Sequence, residues 1–207
     1  GAIAGGLKSA RYPMTHIASY RALDKRVKLV AIADKNPETL AQARKQEPGL
    51  RYYGNIDELF ANENIDVVSL CGPPGTASNF LATAHRARVQ GAWCEKPLAT
   101  NQNDLTQLRA LATKRLPVQV NFWRAFIPEV AATAAQIRGG VFGKNHHATG
   151  YYAGNFVENG VHVLALAQSC LGPLSLVHSD TDRSSGNPLT MVQTASGSML
   201  VCAPIPR

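Results

Sequence analysis

A glutamate, a lysine and a proline stand side by side at Glu95, Lys96 and Pro97, directly after the apolar run "AWC". A lysine where a buried strand runs out can hydrogen-bond a substrate hydroxyl, polarise it and steady the negative charge that develops there. Taken alone, it equally fits a surface lysine whose stem lies on apolar surface with its ammonium in water. A second constellation is "ENGVH", which carries Glu158, Gly160 and His162. Residues four apart near a helix start share a face, so this carboxylate and imidazole can point the same way. An imidazole titrates near neutrality and suits the removal of a hydroxyl proton. In isolation, the apolar context "GVHVLAL" reads as that of a packed core histidine.

Other residues have the types that hold a dinucleotide. The loop "AGGLKSARYPMTH" offers Gly5, Gly6, Leu7 and Lys8, where small residues let backbone N–H groups and a helix N-terminus approach a pyrophosphate. Its glycines are adjacent instead of in the strict G-x-G-x-x-G spacing, so an ordinary Gly-rich turn fits as well. Lys8, Ser9 and Arg11 add possible phosphate donors. Asp34 ends the second apolar strand, where a carboxylate accepts from adenosine ribose hydroxyls and favours NAD. As a bland alternative it is a turn former before "KNPE". Lys35 beside it tolerates a 2′-phosphate, which keeps NADP open. Gly72, Pro73 and Pro74 make a rigid turn after the apolar strand "IDVVSLCG". Asn121 and Arg124, in "VNFWRAF", fall at the junction of two segments and can reach cofactor or substrate.

The elements that must position these groups alternate over the first 120 residues. "GAIAG", "VKLVAIAD", "IDVVSLCG", "AWCE" and "LPVQVNFW" are apolar strands of the kind buried on both faces of a parallel sheet. Between them lie helical patterns. The first is "PMTHIASYRAL", with Pro13 at its start and Ile17, Tyr20 and Leu23 on one face. "NPETLAQARKQEPG" opens on Asn36 as N-cap, and "IDELFAN" is a short helix. "TASNFLATAHRARVQG" ends at Gly91, and "NQNDLTQLRALATKR" follows. The alternation predicts an α/β domain of Rossmann type over residues 1–120, a doubly wound parallel sheet with its ligand crevice at the carboxyl ends of the strands. Residues 121–207 change rhythm. Helices over "IPEVAATAAQIRGGVFG" and "GVHVLALAQSCLG" accompany strand-like "HHATGYYAG", "LSLVHSDTD", "LTMVQTAS" and "SMLVCAPI", with a hairpin turn at Ser196-Gly197. This predicts a second, partial α+β domain built on an antiparallel sheet, expected to be incomplete or completed by a partner chain. A strand at the first residue suggests that a short N-terminal piece is absent.

Composition narrows the function classes. Apolar residues make up 45% and charged residues 17% of the 207, which fits a globular chain and not a disordered one. The formal charge of +7 comes from lysines and arginines scattered along the chain, with no basic run interleaved with aromatics, so a nucleic-acid partner is not expected. No apolar run has the length of a membrane span, and the start lacks the pattern of a signal peptide. Cys71, Cys94, Cys170 and Cys202 are widely spaced and read as free thiols of a cytoplasmic protein, with no metal-ligand spacing among them.

"DKNPE", "Y-GNIDELF", "IDVVSLCGPPGTAS", "GAWCEKPLAT" and "VNFWRAFIPE", in this order and spacing, resemble the Gfo/Idh/MocA oxidoreductases. The resemblance runs from the first residue to about Gly172. It implies an NAD(P)-dependent dehydrogenase or reductase acting on CH–OH groups of sugars, cyclitols or nucleotide-sugar-like polyols. It matches Lys96 to the family's catalytic lysine and Pro97 to the proline that shapes the nicotinamide site, with Glu95 beside them. It matches "ENGVH" to the family's Asp-x-Gly-x-His element, making His162 the general acid/base and Glu158 its assistant. A homodimer or homotetramer formed through the C-terminal sheet is also implied. The sequence departs from the pattern at Ala77, where histidine is frequent, and at Ala165, where aspartate is common. Members are also longer, usually 330 residues or more. A dinucleotide-binding relative of reduced catalytic capacity, or a reductase of a non-sugar substrate such as an imine, a dihydrodiol or a tetrapyrrole, therefore stays open.

Overall fold

The computed structural model describes residues 15–112, 116–144, 147–181, 183 and 186–205. The expected first strand, the Gly-rich loop with Gly5, Gly6, Leu7, Lys8, Ser9 and Arg11, and the helix start at Pro13 lie outside the described residues. The chain divides into two compact units, Gly1–Asn121 and Phe122–Arg207.

In the first unit, α1 (His16–Ala22) begins on Thr15, whose side chain accepts from the Ala18 N–H at 3.1 Å. Strand β1 (Ala31–Ala33) pairs in parallel with β2 (Arg51–Tyr53). Between them runs α2 (Pro37–Gln46), with Asn36 as N-cap and a proline in its first turn, as the sequence predicts. Helix α3 (Ile56–Asn62) is capped by Asn55, which accepts from Glu58 N–H while Glu58 returns a carboxylate oxygen to Gly54 N–H. That reciprocal pattern satisfies donors that the first helical turn leaves unpaired.

Strands β3 (Val67–Leu70), β4 (Gly91–Cys94) and β5 (Val118–Val120) form a parallel sheet in that order. Successive side chains alternate between its faces. Val68 and Leu70 of β3 and Ala92 and Cys94 of β4 pack with Ala77 and Leu81 of α4 (Ala77–Arg86) and Leu108 of α5 (Gln102–Ala112). Leu81 is 2% exposed, a burial that contributes roughly 1.5–3 kcal/mol. Ser69 and Trp93 take the other face, toward α1. The even-numbered face of this sheet is apolar and the odd-numbered face is polar and aromatic.

Two local readings are corrected. The buried face of α1 is centred on His16, 8% exposed, and Leu23 is 44% exposed. Helix α4 stops at Arg86 and not at Gly91; Arg88 turns the chain with φ 59°, and Gly91 is the first residue of β4.

The second unit opens with a 3₁₀ turn, Trp123–Phe126, and α6 (Pro128–Arg138). Strand β6 (His147–Tyr152) is followed by a π turn, Phe156–Gly160, that runs straight into α7 (Val161–Leu171). Then come β7 (Leu174–Thr181), β8 (Pro188–Thr194) and β9 (Met199–Pro204). The sheet order is β6-β9-β8-β7. Its β7-β8-β9 part is antiparallel, as expected, while β6 joins β9 in parallel, so the sheet is mixed. Gly197, with φ 87°, turns the chain between β8 and β9 at the Ser196-Gly197 hairpin read from the sequence. Tyr152, Ala167, Val192, Leu200 and Cys202 form the core between the sheet and α7. Among the described residues, no helix is long and apolar enough to cross a membrane.

Candidate active site

The carboxyl ends of β3 and β4 carry the first group of candidates. Glu95 N–H donates to Leu70 C=O at 2.9 Å and Asn121 N–H donates to Cys94 C=O at 2.8 Å, so the ladder runs one residue past the ends of β4 and β5. At Lys96 the chain leaves the sheet. Its backbone N–H donates to Glu95 Oε2 at 3.2 Å, and the Lys96–Pro97 peptide is cis. Glu95 Oε1 is gripped from two further directions, by His16 Nε2 at 3.1 Å and Asn121 Nδ2 at 2.6 Å. An ionised carboxylate only accepts, so His16 carries its hydrogen on Nε2. Burial raises the pKa of the Glu95 carboxyl, but the bonds from His16 and Asn121 outweigh it and hold the group below the usual range.

His16 itself is held by Trp93. The two rings stack with centroids 3.6 Å apart and planes 23° from parallel. Tyr20, one turn along α1, meets the same indole edge-on at 5.7 Å and shares a hydrogen bond with Ser69 at 2.6 Å. The odd-numbered face of the sheet is thus a polar–aromatic layer built from Ser69, Trp93 and Glu95 under one face of α1. Sequence reasoning missed His16 and Trp93. Trp93 stands two residues before Glu95 on a strand, hence on the same face, and His16 stands four before Tyr20 on a helix. Those spacings were the available signal.

The other first-unit candidates also follow strands, Asp34 and Lys35 after β1 and Gly72 to Pro74 after β3. Asp34 Oδ1 accepts from Asn36 N–H at 2.8 Å. Lys35 is exposed. Gly72 sits in a tight turn, where a Cβ would lie 3.1 Å from Thr76 Oγ1 and 3.2 Å from a Leu70 methyl. Pro73 C=O accepts from the Thr76 hydroxyl at 2.7 Å, Pro74 is exposed, and Gly75 takes φ 84°. Nearby thiols are quenched by burial, which pushes Cys71 up to about 11 and Cys94 up to about 12. Neither has the low pKa of a nucleophile.

The second unit carries Glu158, His162 and Arg124. Val161 N–H reaches back five residues to Phe156 C=O, the π pattern, so the Glu158–His162 spacing spans a π-to-α junction instead of one α turn. Single π turns inside helices occur frequently at functional sites. Glu158 is exposed, and its N–H donates to Asn155 Oδ1 at 2.7 Å. His162 is 7% exposed and meets Phe122 edge-to-face at 5.7 Å. Gly160 is required by the turn, since a Cβ there would lie 2.3 Å from the Phe156 ring. Arg124 lies over the Trp123 ring at 4.8 Å. Lys96 and Glu95 belong to the first unit; Glu158, His162 and Arg124 belong to the second.

A parallel sheet wrapped by helices, with turn and carboxylate residues gathered at its strand ends, defines a Rossmann-type α/β protein. Residues 6–122 match the family described as "Oxidoreductase family, NAD-binding Rossmann fold", and the chain belongs to this Gfo/Idh/MocA family. The rhizopine catabolism protein MocA of Rhizobium meliloti is 24% identical over 153 residues, which cover 66% of this chain and 47% of that protein. A 1-carboxy-3-chloro-3,4-dihydroxycyclohexa-1,5-diene dehydrogenase of Comamonas testosteroni is 30% identical over 95 residues, 44% of this chain and 23% of that protein. The fold is that of the WlbA dehydrogenase from Bordetella pertussis, solved in complex with NADH and UDP-GlcNAcA. That structure superposes with a TM-score of 0.75 at 21% identity, over 90% of this chain and 65% of its own. The chain therefore spans about half or less of the curated relatives it matches.

Proposed function

We propose that the protein is an NAD(P)-dependent dehydrogenase or reductase that interconverts a CH–OH and a carbonyl group on a sugar, cyclitol or nucleotide-sugar-like substrate. The observation that carries this reading is the anchored Glu95-Lys96 pair at the end of β4, in a chain of the NAD-binding oxidoreductase family.

The donor set suits a dinucleotide. Asp34 stands at the end of β1, and a carboxylate accepts from ribose hydroxyls. Lys35 accommodates a 2′-phosphate. Gly72, Pro73 and Pro74 supply a close backbone approach, and Glu95, Lys96, Pro97 and Arg124 complete the set, with the loop of Gly5, Gly6, Leu7 and Lys8. NAD, when bound, supplies the hydride acceptor. Lys96 orients and polarises the substrate oxygen, His162 takes the hydroxyl proton, and Glu158 supports it by hydrogen bonding. Asp34 favours NAD over NADP.

The relative that dehydrogenates a dihydroxylated cyclohexadiene favours a second reading, a non-sugar dihydrodiol as substrate. A third is nucleotide binding without turnover. The four free thiols suit a reducing cytoplasm. The exposed Leu176 and Val177 of edge strand β7 suit a homodimer or homotetramer formed through the sheet.

Titration of NAD(H) and NADP(H) against the protein, followed by a polyol, dihydrodiol and nucleotide-sugar screen, tests these readings. Lys96→Ala should lower turnover by at least about 100-fold, the scale of one lost oxyanion-type contact, and weaken nucleotide affinity by much less. Failure to bind either nucleotide would refute the proposal; unchanged turnover would refute the role of Lys96.

A further inference from the structure

We infer that His16 is a positioning residue for Lys96, acting through the Glu95 carboxylate; this rests on the proposed role of Lys96. The chain leaves the β3–β4 ladder at Glu95, so the Lys96 N–H has no strand to bond to. Glu95 Oε2 takes the place of that strand at 3.2 Å. A glutamate side chain folded back onto its own neighbour keeps that position only if its other oxygen is held elsewhere, because the rotamers of a long side chain are otherwise open. His16 and Asn121 hold it, from α1 and from the end of β5. Of the two, His16 is the buried one, 8% exposed, and its ring is fixed by the stack on Trp93.

His16 also bears a mark that packing alone does not explain. Its Nδ1 is buried and makes no hydrogen bond among the described residues. A histidine that leaves one ring nitrogen unsatisfied in a buried site costs stability relative to an apolar ring of the same shape. The Nε2–H bond to Glu95 accounts for a histidine at this place where phenylalanine would stack on Trp93 equally well. The arrangement gives the Glu95-Lys96 peptide a single direction as it leaves the sheet, and hence the lysine a single origin.

The full-length chain with His16→Phe, His16→Asn and His16→Gln tests this by amide hydrogen exchange resolved at Lys96. Phenylalanine keeps the stack and removes the donor. Asparagine mimics Nδ1 and falls short of Glu95, whereas glutamine places an amide N–H where Nε2 stands. His16→Phe and His16→Asn should speed Lys96 exchange by about tenfold, as expected for one charge-assisted bond, with His16→Gln within about twofold of the parent. Ala92 N–H, bonded to Pro117 C=O at 2.9 Å, is the folding control. Unchanged Lys96 exchange with Ala92 still protected would overturn the inference. So would loss of Ala92 protection in both variants, since His16 would then hold the sheet instead of the lysine. On any substrate that the parent turns over, kcat should fall in His16→Phe with KM for the nucleotide unchanged, and return in His16→Gln; a freed amide with unaltered kcat overturns the positioning role. A parent that binds no nucleotide refutes the proposed function alone, because the exchange result is read without it.

Discussion

Replacing Gly150 by alanine should destabilise the second unit through a single steric conflict. Gly150 lies on β6 beneath α7, and a Cβ there would stand 2.2 Å from Val163 Cγ1. Ordinary contact begins at 3.4 Å, so the gap must open by 1.2 Å (3.4 minus 2.2). A helical valine holds one χ1 rotamer about 90% of the time, so Cγ1 does not swing away freely. The remaining responses are a strained valine or a shift of α7 from the sheet, and overpacking of this kind costs about 1–3 kcal/mol. For a unit of this size, each kcal/mol lowers Tm by roughly 4–8 °C, so a fall of about 4–24 °C is expected. Thermal unfolding followed by circular dichroism would measure it, and Val163→Ala, which removes the colliding methyl, should return most of the loss in the double variant. A Tm within about 1 °C of the parent would refute the close approach of β6 and α7. Because Val163 is next to His162, the same variant should impair turnover more than nucleotide binding.

Three further outcomes follow from particular residues. Arg88, at φ 59°, holds a left-handed conformation that costs a non-glycine residue about 1–2 kcal/mol, while glycine costs about 0.5–1 in chain entropy, so Arg88→Gly should stabilise by up to about 1 kcal/mol in urea unfolding; clear destabilisation would contradict that geometry. Glu95 has a depressed pKa, so its contribution is complete above the unfolded carboxyl value of about 4.3 and is lost as pH falls through the lower folded value. Glu95→Gln should thus be less stable than the parent at neutral pH and should lose less stability on acidification; parallel acid profiles would discount the network. Cys71 and Cys202, with pKa values near 11, should alkylate at pH 8 about 100-fold more slowly in the folded chain than in urea, since about one thiol in a thousand is ionised. Cys94, near 12, should be slower still, and mass spectrometry would rank them.

What could be read along the chain is what depends on near neighbours. The cap at Asn36, the turn at Ser196-Gly197, the alternation of strands and helices, and the placement of Glu95 and Lys96 at a strand end all arise within a few residues. Each rests on a period or on a side chain bonding its own backbone. Where local rules failed, packing had overruled them. Ile17, Tyr20 and Leu23 satisfy the helical period of α1, yet the sheet beneath presents Trp93 and Glu95, and the helix turns His16 and Tyr20 toward that layer and leaves Leu23 exposed. The π turn before α7 escapes an α-period reading because Phe156 packs over Gly160, a contact that widens the turn.

The class of fold, the family and the position of the lysine are legible in the order of the residues. What holds that lysine's neighbour emerges only on folding, since His16 and Glu95 stand 79 residues apart and Glu95 and Asn121 stand 26 apart. So does the parallel pairing of β6 with β9. Hydrogen bonds and strand pairs between distant segments are selected by which buried polar groups find partners when the core closes, and no local period carries that information.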